Sequence, residues 1–321
     1  MKKKILITGC AGFIGSNLVD FLLKKNFTII GIDNLSTGKK KNLFEALKNK
    51  NFQLFKRDLK NKKQIIRLFK KIDMVFHLAA NADVRNGIKN TKKDLDENTI
   101  VTFNVLEAMR SNNVKKIVFS STGSIYGETK QIPTPENANF PIQTSFYGAS
   151  KLACEGLIHA YCDNYNFQSW IFRFVSILGK RYSHGHVFDF YKKLLKNNYH
   201  LDVLGDGNQK KSYLNILDCL TAMMIAIKRS KKKINIYNLG TDEFSKVKNS
   251  VNWITKYLSL NPKVKYQTKK KRGWPGDIPN IYLDTKNIRK LGWRPRYTIR
   301  ESVIETLKFL IENKWILNKK N

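Results

Sequence analysis

The sequence predicts a doubly wound α/β fold, in which a parallel sheet is covered by helices on both faces and a smaller C-terminal domain is interleaved with it. Short apolar runs alternate with longer segments whose apolar residues recur at helical spacing, and a glycine-rich turn follows the first apolar run. Strands that are apolar throughout are typical of a parallel sheet buried on both faces, and the helices between them provide the crossover connections.

Predicted strands and helices alternate over the first half of the chain. Strands are predicted at 5–8, 28–32, 52–55, 74–78, 117–120 and 169–174, and helices at 15–25, 62–71, 98–111 and 145–164. The second half is richer in Gly, Pro and aromatic residues, and helices are predicted there at 189–197, 217–228 and 300–312. We predict a first domain over residues 1–175, with a returning strand near 235–240, and a smaller domain over residues 176–321.

The composition is that of a folded protein. The chain has 321 residues, of which 42% are hydrophobic and 12% aromatic, and this excludes a disordered chain. Its net charge of +34, from 59 basic and 25 acidic residues, would suit a nucleic-acid partner. However, 47 of the basic residues are Lys and the chain also has 32 Asn, a pattern typical of AT-rich coding bias. Since sequence-specific readers of nucleic acids depend on Arg, we predict no nucleic-acid partner.

Cysteine use and hydropathy predict a cytoplasmic protein. Cys10, Cys154, Cys162 and Cys219 have neither the spacing of a zinc site nor the density of a disulfide scaffold, so we expect reduced thiols. The apolar run at 216–227 is shorter than the ~18 residues of a membrane span. The basic N-terminus is similar to a lipoprotein signal, but its apolar stretch is too short for one. We therefore predict no membrane span.

A glycine-rich turn follows the first predicted strand. Gly9, Gly12 and Gly15 have the spacing GxxGxxG and open the first helix. Glycines at such a turn let backbone N–H groups and the positive end of a helix approach a pyrophosphate closely. Asp33, at the end of the second strand, can accept hydrogen bonds from both ribose hydroxyls of adenosine. The pattern favours NAD as the cofactor, while the lysines at 39–41 keep NADP as an alternative.

Tyr147 and Lys151 are the candidate catalytic pair. They stand one helical turn apart, so that the Lys ammonium can lower the pKa of the phenol and favour a phenolate acting as a general base. The chain has four Tyr–Lys pairs at this spacing, and the others begin at Tyr126, Tyr266 and Tyr282. Tyr147 differs from these because small residues follow it and because it opens a long amphipathic helix.

Polar residues also end the fifth predicted strand. The segment SSTGSIYG at 120–127 reaches the carboxyl edge of the sheet, where ligands bind in such folds. A hydroxyl at this edge would face the cofactor, although Ser and Thr are also common turn residues.

These segments together resemble the extended short-chain dehydrogenase/reductase family, which has the Rossmann fold, and within it the NAD-dependent nucleotide-sugar epimerases and dehydratases, especially proteins similar to UDP-glucose 4-epimerase. The resemblance covers nearly the whole chain. Besides the glycine turn, Tyr147/Lys151 and SSTGSIYG, it is carried by DNLSTG at 33–38, HLAA at 77–80, Asn98 opening the following helix, Arg173-Phe174 before Gly179, LGDGNQKKSY at 204–213, the segment 272–277 and LGWRP at 291–295.

The resemblance implies a bound NAD and a nucleotide-sugar substrate, most typically a UDP-sugar. The implied cofactor-binding residues are Gly9, Gly12, Phe13, Ile14, Gly15, Asp33, Asn34, Asp58, Leu59, Leu78, Ala79, Ala80, Asn98, Ser120, Tyr147 and Lys151. The implied substrate-binding residues are Thr122, Ser124, Tyr147, Ser176, Lys211 and Arg272, with Lys210 a weaker candidate for the diphosphate. At Ser176 and Lys211 the family usually has Asn and Arg.

The end of the fifth strand indicates the reaction. Family dehydratases place an Asp-Glu pair after the threonine and related decarboxylases place a Glu at the second position, whereas this chain has Gly123 and Ser124. Thr122 occupies the Ser/Thr position of the 4-epimerases. The resemblance therefore implies an isomerase in which Tyr147 deprotonates the sugar 4-hydroxyl beside Thr122. Hydride passes from C4 to NAD, and the 4-keto sugar turns before the hydride returns.

Two other interpretations remain open. A dehydratase or reductase on the same fold would carry out net elimination or redox chemistry, and a non-catalytic basic binding protein would present a contiguous basic face. We predict no metal, because His77, His184 and His186 have no carboxylate or cysteine partners at useful spacing. The resemblance also implies a homodimer formed through the helices that carry Asn98 and Tyr147.

Overall fold

The computed structural model describes residues 3–84, 86–139, 142–267, 278 and 280–318. The chain divides into two units. The first comprises residues 1–125, 146–173 and 223–237, and the second comprises residues 126–145, 174–222 and 238–321. The assignment of residues 1–175 to the cofactor and 176–321 to the substrate stays a prediction.

Helices follow strands in the predicted order through the first half of the chain. The strands are β1 Lys4–Thr8, β2 Thr28–Asp33, β3 Phe52–Lys56, β4 Met74–His77, β5 Lys116–Thr122, β6 Gln168–Phe174, β7 Ser176–Leu178, β8 His200–Val203, β9 Lys210–Lys211, β10 Tyr213–Asn215, β11 Ile234–Leu239, β12 Ser245–Lys246, β13 Lys263–Tyr266 and β14 Asn280–Ile281. The α-helices are α1 Phe13–Leu23, α2 Lys62–Ile65, α3 Thr91–Asp94, α4 Val101–Ser111, α5 Phe146–Tyr165, α6 His186–Lys196, α7 Ile216–Arg229, α8 Val247–Tyr257, α9 Lys286–Lys290 and α10 Ile299–Glu312.

A seven-stranded sheet has the strand order β3-β2-β1-β4-β5-β6-β11. The pairs of β1 with β2 and β4, of β2 with β3 and of β4 with β5 are parallel, and Thr8 lies beside both Ile32 and His77. The strand order reverses between β1 and β4, and ligands bind at such a point beyond the carboxyl ends of the strands. The predicted doubly wound α/β fold is confirmed, including the return of β11 to the edge of the sheet.

The hydrophobic core of the first unit lies between the sheet and its helices. Leu6, Val75 and Phe119 of the strands belong to one buried cluster with Val105 of α4 and Ile158 of α5. Burial of a side chain of this size contributes about 1.5–3 kcal/mol. This packing holds the strand ends, with their polar residues, in fixed positions.

The helix that carries Asn98 differs from the prediction, because Asn98 does not open it. The helical segment begins with α3 at Thr91, continues through a π-helical stretch at Leu95–Ile100 and leads into α4. The side chain of Asn98 hydrogen-bonds to Asn81, Asp94 and Ser150 and caps no helix terminus in these bonds.

The second unit contains small sheets and helices of its own. β7 pairs with β10 and β8 with β13, both in parallel, and β9 lies between β12 and β14. Helix α10 begins with a capping box formed by Thr298 and Glu301, which satisfies N–H groups of its first turn. The buried Asp218 carboxylate accepts the backbone N–H groups of Arg296 at 2.9 Å and Tyr297 at 3.0 Å. These bonds fix the segment that leads into α10.

All four cysteines are free and buried, and burial raises the pKa of each thiol. Since the thiolate is the reactive form, these thiols are poor nucleophiles. Across the described ranges, no helix combines the length and the hydropathy needed to cross a membrane.

Candidate active site

Gly9 and Gly12 lie in the turn between β1 and α1, and Gly15 lies in the first turn of α1. Gly9 has φ +67°, in the left-handed region that favours glycine. A Cβ on Gly15 would lie 2.1 Å from the carbonyl oxygen of Gly9, so a larger residue does not fit there. A Cβ on Gly12, by contrast, would meet only the Gly9 oxygen, at 3.3 Å, among described atoms within 4 Å. The turn therefore offers an anionic group both room and a helix N-terminus.

Asp33 ends β2 beside this turn. Its Oδ2 accepts the N–H of Ala11 at 2.9 Å, and its Oδ1 accepts the N–H of Leu35 at 2.8 Å. Burial raises the pKa of Asp33, and these two hydrogen bonds oppose the rise. Each carboxylate oxygen has a second lone pair. Asp33 can therefore hold the turn and still accept a hydrogen bond from a ligand.

The loop after β4 is held by the end of β1. The Thr8 hydroxyl accepts the N–H groups of Leu78 and Ala79, each at 3.2 Å, and lies 2.7 Å from Nδ1 of His77. Nε2 of His77 lies 3.0 Å from the Thr102 hydroxyl, and burial lowers the pKa of His77 to about 3. His77 is therefore an uncharged part of the scaffold.

The other predicted cofactor residues of the first unit lie at the same sheet edge or on α1. Asn34 donates from Nδ2 to Asp58 Oδ2 at 3.3 Å, which joins the ends of β2 and β3. Leu59 follows Asp58, Ala80 follows the loop residues held by Thr8, and Phe13 and Ile14 form the half-buried first turn of α1.

Thr122 brings Ser124 and Tyr147 together at the end of β5. Its Oγ1 accepts the Ser124 N–H at 3.1 Å and lies 3.2 Å from Ser124 Oγ. A hydrogen bond with Thr122 lowers the pKa of Tyr147, but burial acts more strongly and raises it to about 12. Thr122 is therefore the side chain that favours the ionised form of Tyr147.

Lys151 is buried behind this hydroxyl pair. Its Nζ donates to the carbonyl oxygen of Ser120 at 2.7 Å and lies 4.4 Å from the centre of the Phe119 ring. Burial lowers the pKa of Lys151 to about 8, while Cys154 and Glu155 act in the opposite direction. The sequence predicts that Lys151 lowers the pKa of the Tyr147 phenol, but the structure shows that pKa raised, because burial dominates.

The NAD dependent epimerase/dehydratase family model matches residues 5–240. The chain belongs to this family. It is 34% identical over 315 residues to a Methanocaldococcus jannaschii protein named "Putative UDP-glucose 4-epimerase", over 96% of this chain and 99% of that protein. It is also similar to a crystal structure of UDP-galactose 4-epimerase, with 32% identity, a TM-score of 0.87, and coverage of 97% of this chain and 100% of that one. UDP-glucuronic acid 4-epimerase from Bacillus cereus, solved with UDP-glucuronic acid and NAD, is 28% identical with a TM-score of 0.87, over 96% of this chain and 99% of that one.

The cofactor of this NAD-dependent epimerase/dehydratase family member is NAD, and the residues at the sheet edge fit it. The open side of Gly12 at the start of α1 has room for the pyrophosphate, and the lone pairs of Asp33 suit the adenosine ribose. The buried ammonium of Lys151 and the Tyr147 hydroxyl lie at the end of β5, beyond the strand-order reversal. When bound, NAD supplies a hydride acceptor.

Asp33→Asn is expected to weaken NAD binding by about 1.5–3 kcal/mol, because a charged hydrogen-bond acceptor is lost. It should also raise the affinity for NADP relative to NAD, since the charge that repels a 2′-phosphate is removed. Titration calorimetry with both cofactors measures this. Asp73→Asn is the matched control, because Asp73 Oδ2 also accepts a backbone N–H, that of Lys4 at 2.7 Å. Unchanged cofactor preference in Asp33→Asn would contradict the assignment.

Asn98 joins three segments of the first unit. Its Nδ2 donates to Ser150 Oγ at 2.8 Å and to Asp94 Oδ1 at 3.3 Å, and its Oδ1 accepts the Asn81 N–H at 2.8 Å. Ser150 Oγ in turn donates to the Tyr147 carbonyl oxygen at 2.9 Å. Asn98 thus fixes the first turn of α5, and its contact with the cofactor stays a prediction.

The predicted substrate residues of the second unit lie on its small strands. Ser176 is an exposed residue of β7, and Lys211 of β9 donates from Nζ to the Ile278 carbonyl oxygen. Lys210 lies with Nζ 4.9 Å from the centre of the Phe244 ring. Arg272 lies outside the described residues.

Sequence reasoning missed a buried polar cluster beside Lys151, formed by Ser121, Glu155 and Arg173. Glu155 follows Lys151 by four residues, and this spacing places the two on one helix face. The Lys–Glu spacing was therefore an available signal. The pairing of Glu155 with Arg173 could not be predicted from the sequence, because Arg173 lies on β6 and meets Glu155 only through the packing of α5 on the sheet.

Proposed function

We propose that the protein is an NAD-dependent 4-epimerase of a UDP-sugar, specifically of a UDP-hexose. The observation that carries the proposal is the arrangement at the end of β5: the buried Lys151 ammonium is bonded to the Ser120 carbonyl oxygen, Ser124 fixes the Thr122 hydroxyl, and Tyr147 precedes Lys151 by one helical turn. Gly123 and Ser124 follow Thr122, so this strand end provides a hydroxyl pair and no carboxylic acid for elimination chemistry. Relatives whose names give UDP-glucose and UDP-glucuronic acid 4-epimerases support the same assignment.

Tyr147 acts as the general base on the 4-hydroxyl of the sugar. As the phenolate, it takes the hydroxyl proton while C4 loses its hydride, and it returns the proton when C4 is reduced again. Burial opposes the phenolate, since it raises the pKa of Tyr147 to about 12. The Thr122 hydrogen bond favours it, and in our proposal the positive charge of Lys151, one helical turn away, favours it as well.

Thr122 orients the reacting hydroxyl. Its own hydroxyl is held by the Ser124 N–H and by Ser124 Oγ, so its position is fixed before the sugar binds. Inversion at C4 requires that the 4-keto sugar turns between removal and return of the hydride. Lys211 on β9 supplies a cation for the substrate diphosphate, as a single point charge and not a planar fork.

The proposal is tested by incubating the purified protein with UDP-glucose, UDP-N-acetylglucosamine and UDP-glucuronate without added reductant. Proton NMR of the products should show a C4 epimer from at least one of them, with no net formation of NADH. A 4-keto or deoxy product would favour a dehydratase instead. The absence of any product from all three would contradict a UDP-sugar 4-epimerase of these classes.

We also propose that the protein is a homodimer. The helical segment 95–111 presents Leu95, Ile100 and Phe103, whose side chains are 50%, 41% and 41% exposed, and Phe146 at the start of α5 is 49% exposed. Apolar side chains of this size, exposed together along helices, are typical of an interface.

A further inference from the structure

A fully buried ion pair lies next to the catalytic residues. Arg173 of β6 donates from Nη2 to Glu155 Oε2 at 2.7 Å and from Nε to Oε1 at 3.2 Å, and both residues are 1% exposed. The Ser121 hydroxyl also donates to Glu155 Oε1. This fork of charge-assisted hydrogen bonds holds the carboxylate in one position.

Two features connect the Glu155–Arg173 ion pair with the catalytic residues. Glu155 lies one helical turn after Lys151 on the same face of α5. Ser121 stands between Ser120, whose carbonyl oxygen accepts Lys151 Nζ, and Thr122. Glu155 therefore faces both the catalytic lysine and the catalytic strand end.

The surroundings of Lys151 contain little other charge. From β5 it meets the Phe119 ring and the Ser120 carbonyl group, and from β4 it faces His77, which burial keeps uncharged. On α5 the Tyr147 phenol and the Cys154 thiol have raised pKa values, and burial lowers the pKa of His159, one turn beyond Glu155. Among the described groups that influence the pKa of Lys151, the carboxylate is thus that of Glu155.

We propose that Glu155, held in place by Arg173, is the positioning residue that keeps the Lys151 side chain in its charged form. Burial alone would favour the neutral amine, and a fixed anion one turn away offsets this. Arg173 is needed because a buried carboxylate without a partner would be protonated instead. The inference rests on the proposed function only in that the charge of Lys151 serves the Tyr147 phenolate.

Glu155 acts on Lys151 through its negative charge, and Arg173 acts by keeping that charge in place, which makes the proposal testable. In the full-length protein labelled with 13C at lysine Cε, the titration of Lys151 is followed by NMR and assigned with Lys151→Arg. Glu155→Gln should lower the midpoint of Lys151 by about one pH unit, a tenfold change in proton affinity. Arg173→Met should also lower it, because the buried carboxylate left without its partner takes up a proton, and the double variant should shift no further than Glu155→Gln alone.

Glu107→Gln is the matched control. Glu107 also forms a two-pronged ion pair, with Arg110 at 2.8 and 3.0 Å, but its partners do not include Lys151. The Glu107→Gln variant should leave the titration midpoint of Lys151 unchanged. Equal shifts in Glu155→Gln and Glu107→Gln, or a raised midpoint in Arg173→Met, would overturn the proposal.

Two features keep the result interpretable. If Glu155→Gln does not fold, Arg173→Met still has to lower the midpoint, and an unchanged or raised midpoint there overturns the proposal. The titration needs no substrate, so a protein that titrates as expected but forms no epimer would contradict only the proposed function. In an active epimerase, the alkaline limb of the pH–rate profile should move with the Lys151 midpoint, which a merely structural ion pair would not cause.

Discussion

Tyr147→Phe is expected to lower kcat by a factor of about 10²–10⁴, the usual contribution of a general base. The substitution keeps the aromatic ring and removes the hydroxyl that contacts Thr122 and takes the proton of the sugar 4-hydroxyl. Bound NAD should be retained, because the glycine turn and Asp33 are unchanged. Initial rates of epimer formation, together with the NAD content of the purified variant, measure both effects.

Tyr282→Phe is the matched control for this experiment. Tyr282 also precedes a Lys by four residues, and its hydroxyl donates to the Asp242 carbonyl oxygen at 2.9 Å. Its loss should cost about 1 kcal/mol of stability and leave kcat essentially unchanged. A Tyr147→Phe variant with wild-type kcat, or an equal loss in both variants, would show that Tyr147 is not the base.

Gly15→Ala is expected to abolish tight NAD binding and to destabilise the protein. The added Cβ would lie 2.1 Å from the Gly9 carbonyl oxygen and 2.9 Å from the Cα of Cys10. Because both are backbone atoms, the turn and the start of α1 have to move apart, at a cost of about 1–3 kcal/mol for overpacking. Chemical denaturation measures the loss of stability, and calorimetry measures the loss of NAD affinity.

Gly156→Ala provides the opposite case within the same unit. Gly156 lies in α5, and a Cβ there would have no described heavy atom within 4 Å outside its immediate neighbours. Alanine should therefore stabilise the helix by up to about 1 kcal/mol without affecting NAD. If Gly15→Ala bound NAD as tightly as Gly156→Ala does, the glycine turn would not be the phosphate site.

The order of strands and helices in the first half was predictable because each strand is almost wholly apolar and each turn is polar. Runs such as KILIT of β1 are buried on both faces. Their apolar composition therefore identifies them as strands without any knowledge of tertiary contacts. The start of the helix at Thr91 was not predictable in this way. Its first residues, TKKD, are polar and carry no helical periodicity, and the last of them, Asp94, accepts hydrogen bonds from the side chains of Asn81 and Asn98.

The composition of the candidate site was predictable, but its electrostatics were not. The Tyr147/Lys151 spacing predicts two residues on one helix face, whereas their pKa values depend on burial by the surrounding chain. Arg173 pairs with Glu155 across 18 residues and two elements, so the pairing required the packing of α5 on the sheet. The second half has weak patterns because its strands span only two to six residues.

The central claim is that hydride leaves C4 of the sugar and returns to C4. The most direct test is an incubation of the purified protein with UDP-glucose, UDP-N-acetylglucosamine and UDP-glucuronate, each carrying deuterium at C4, in ordinary water. Our account predicts that the C4 epimer retains the deuterium at C4. Loss of the deuterium to water, or its appearance at another carbon, would contradict it.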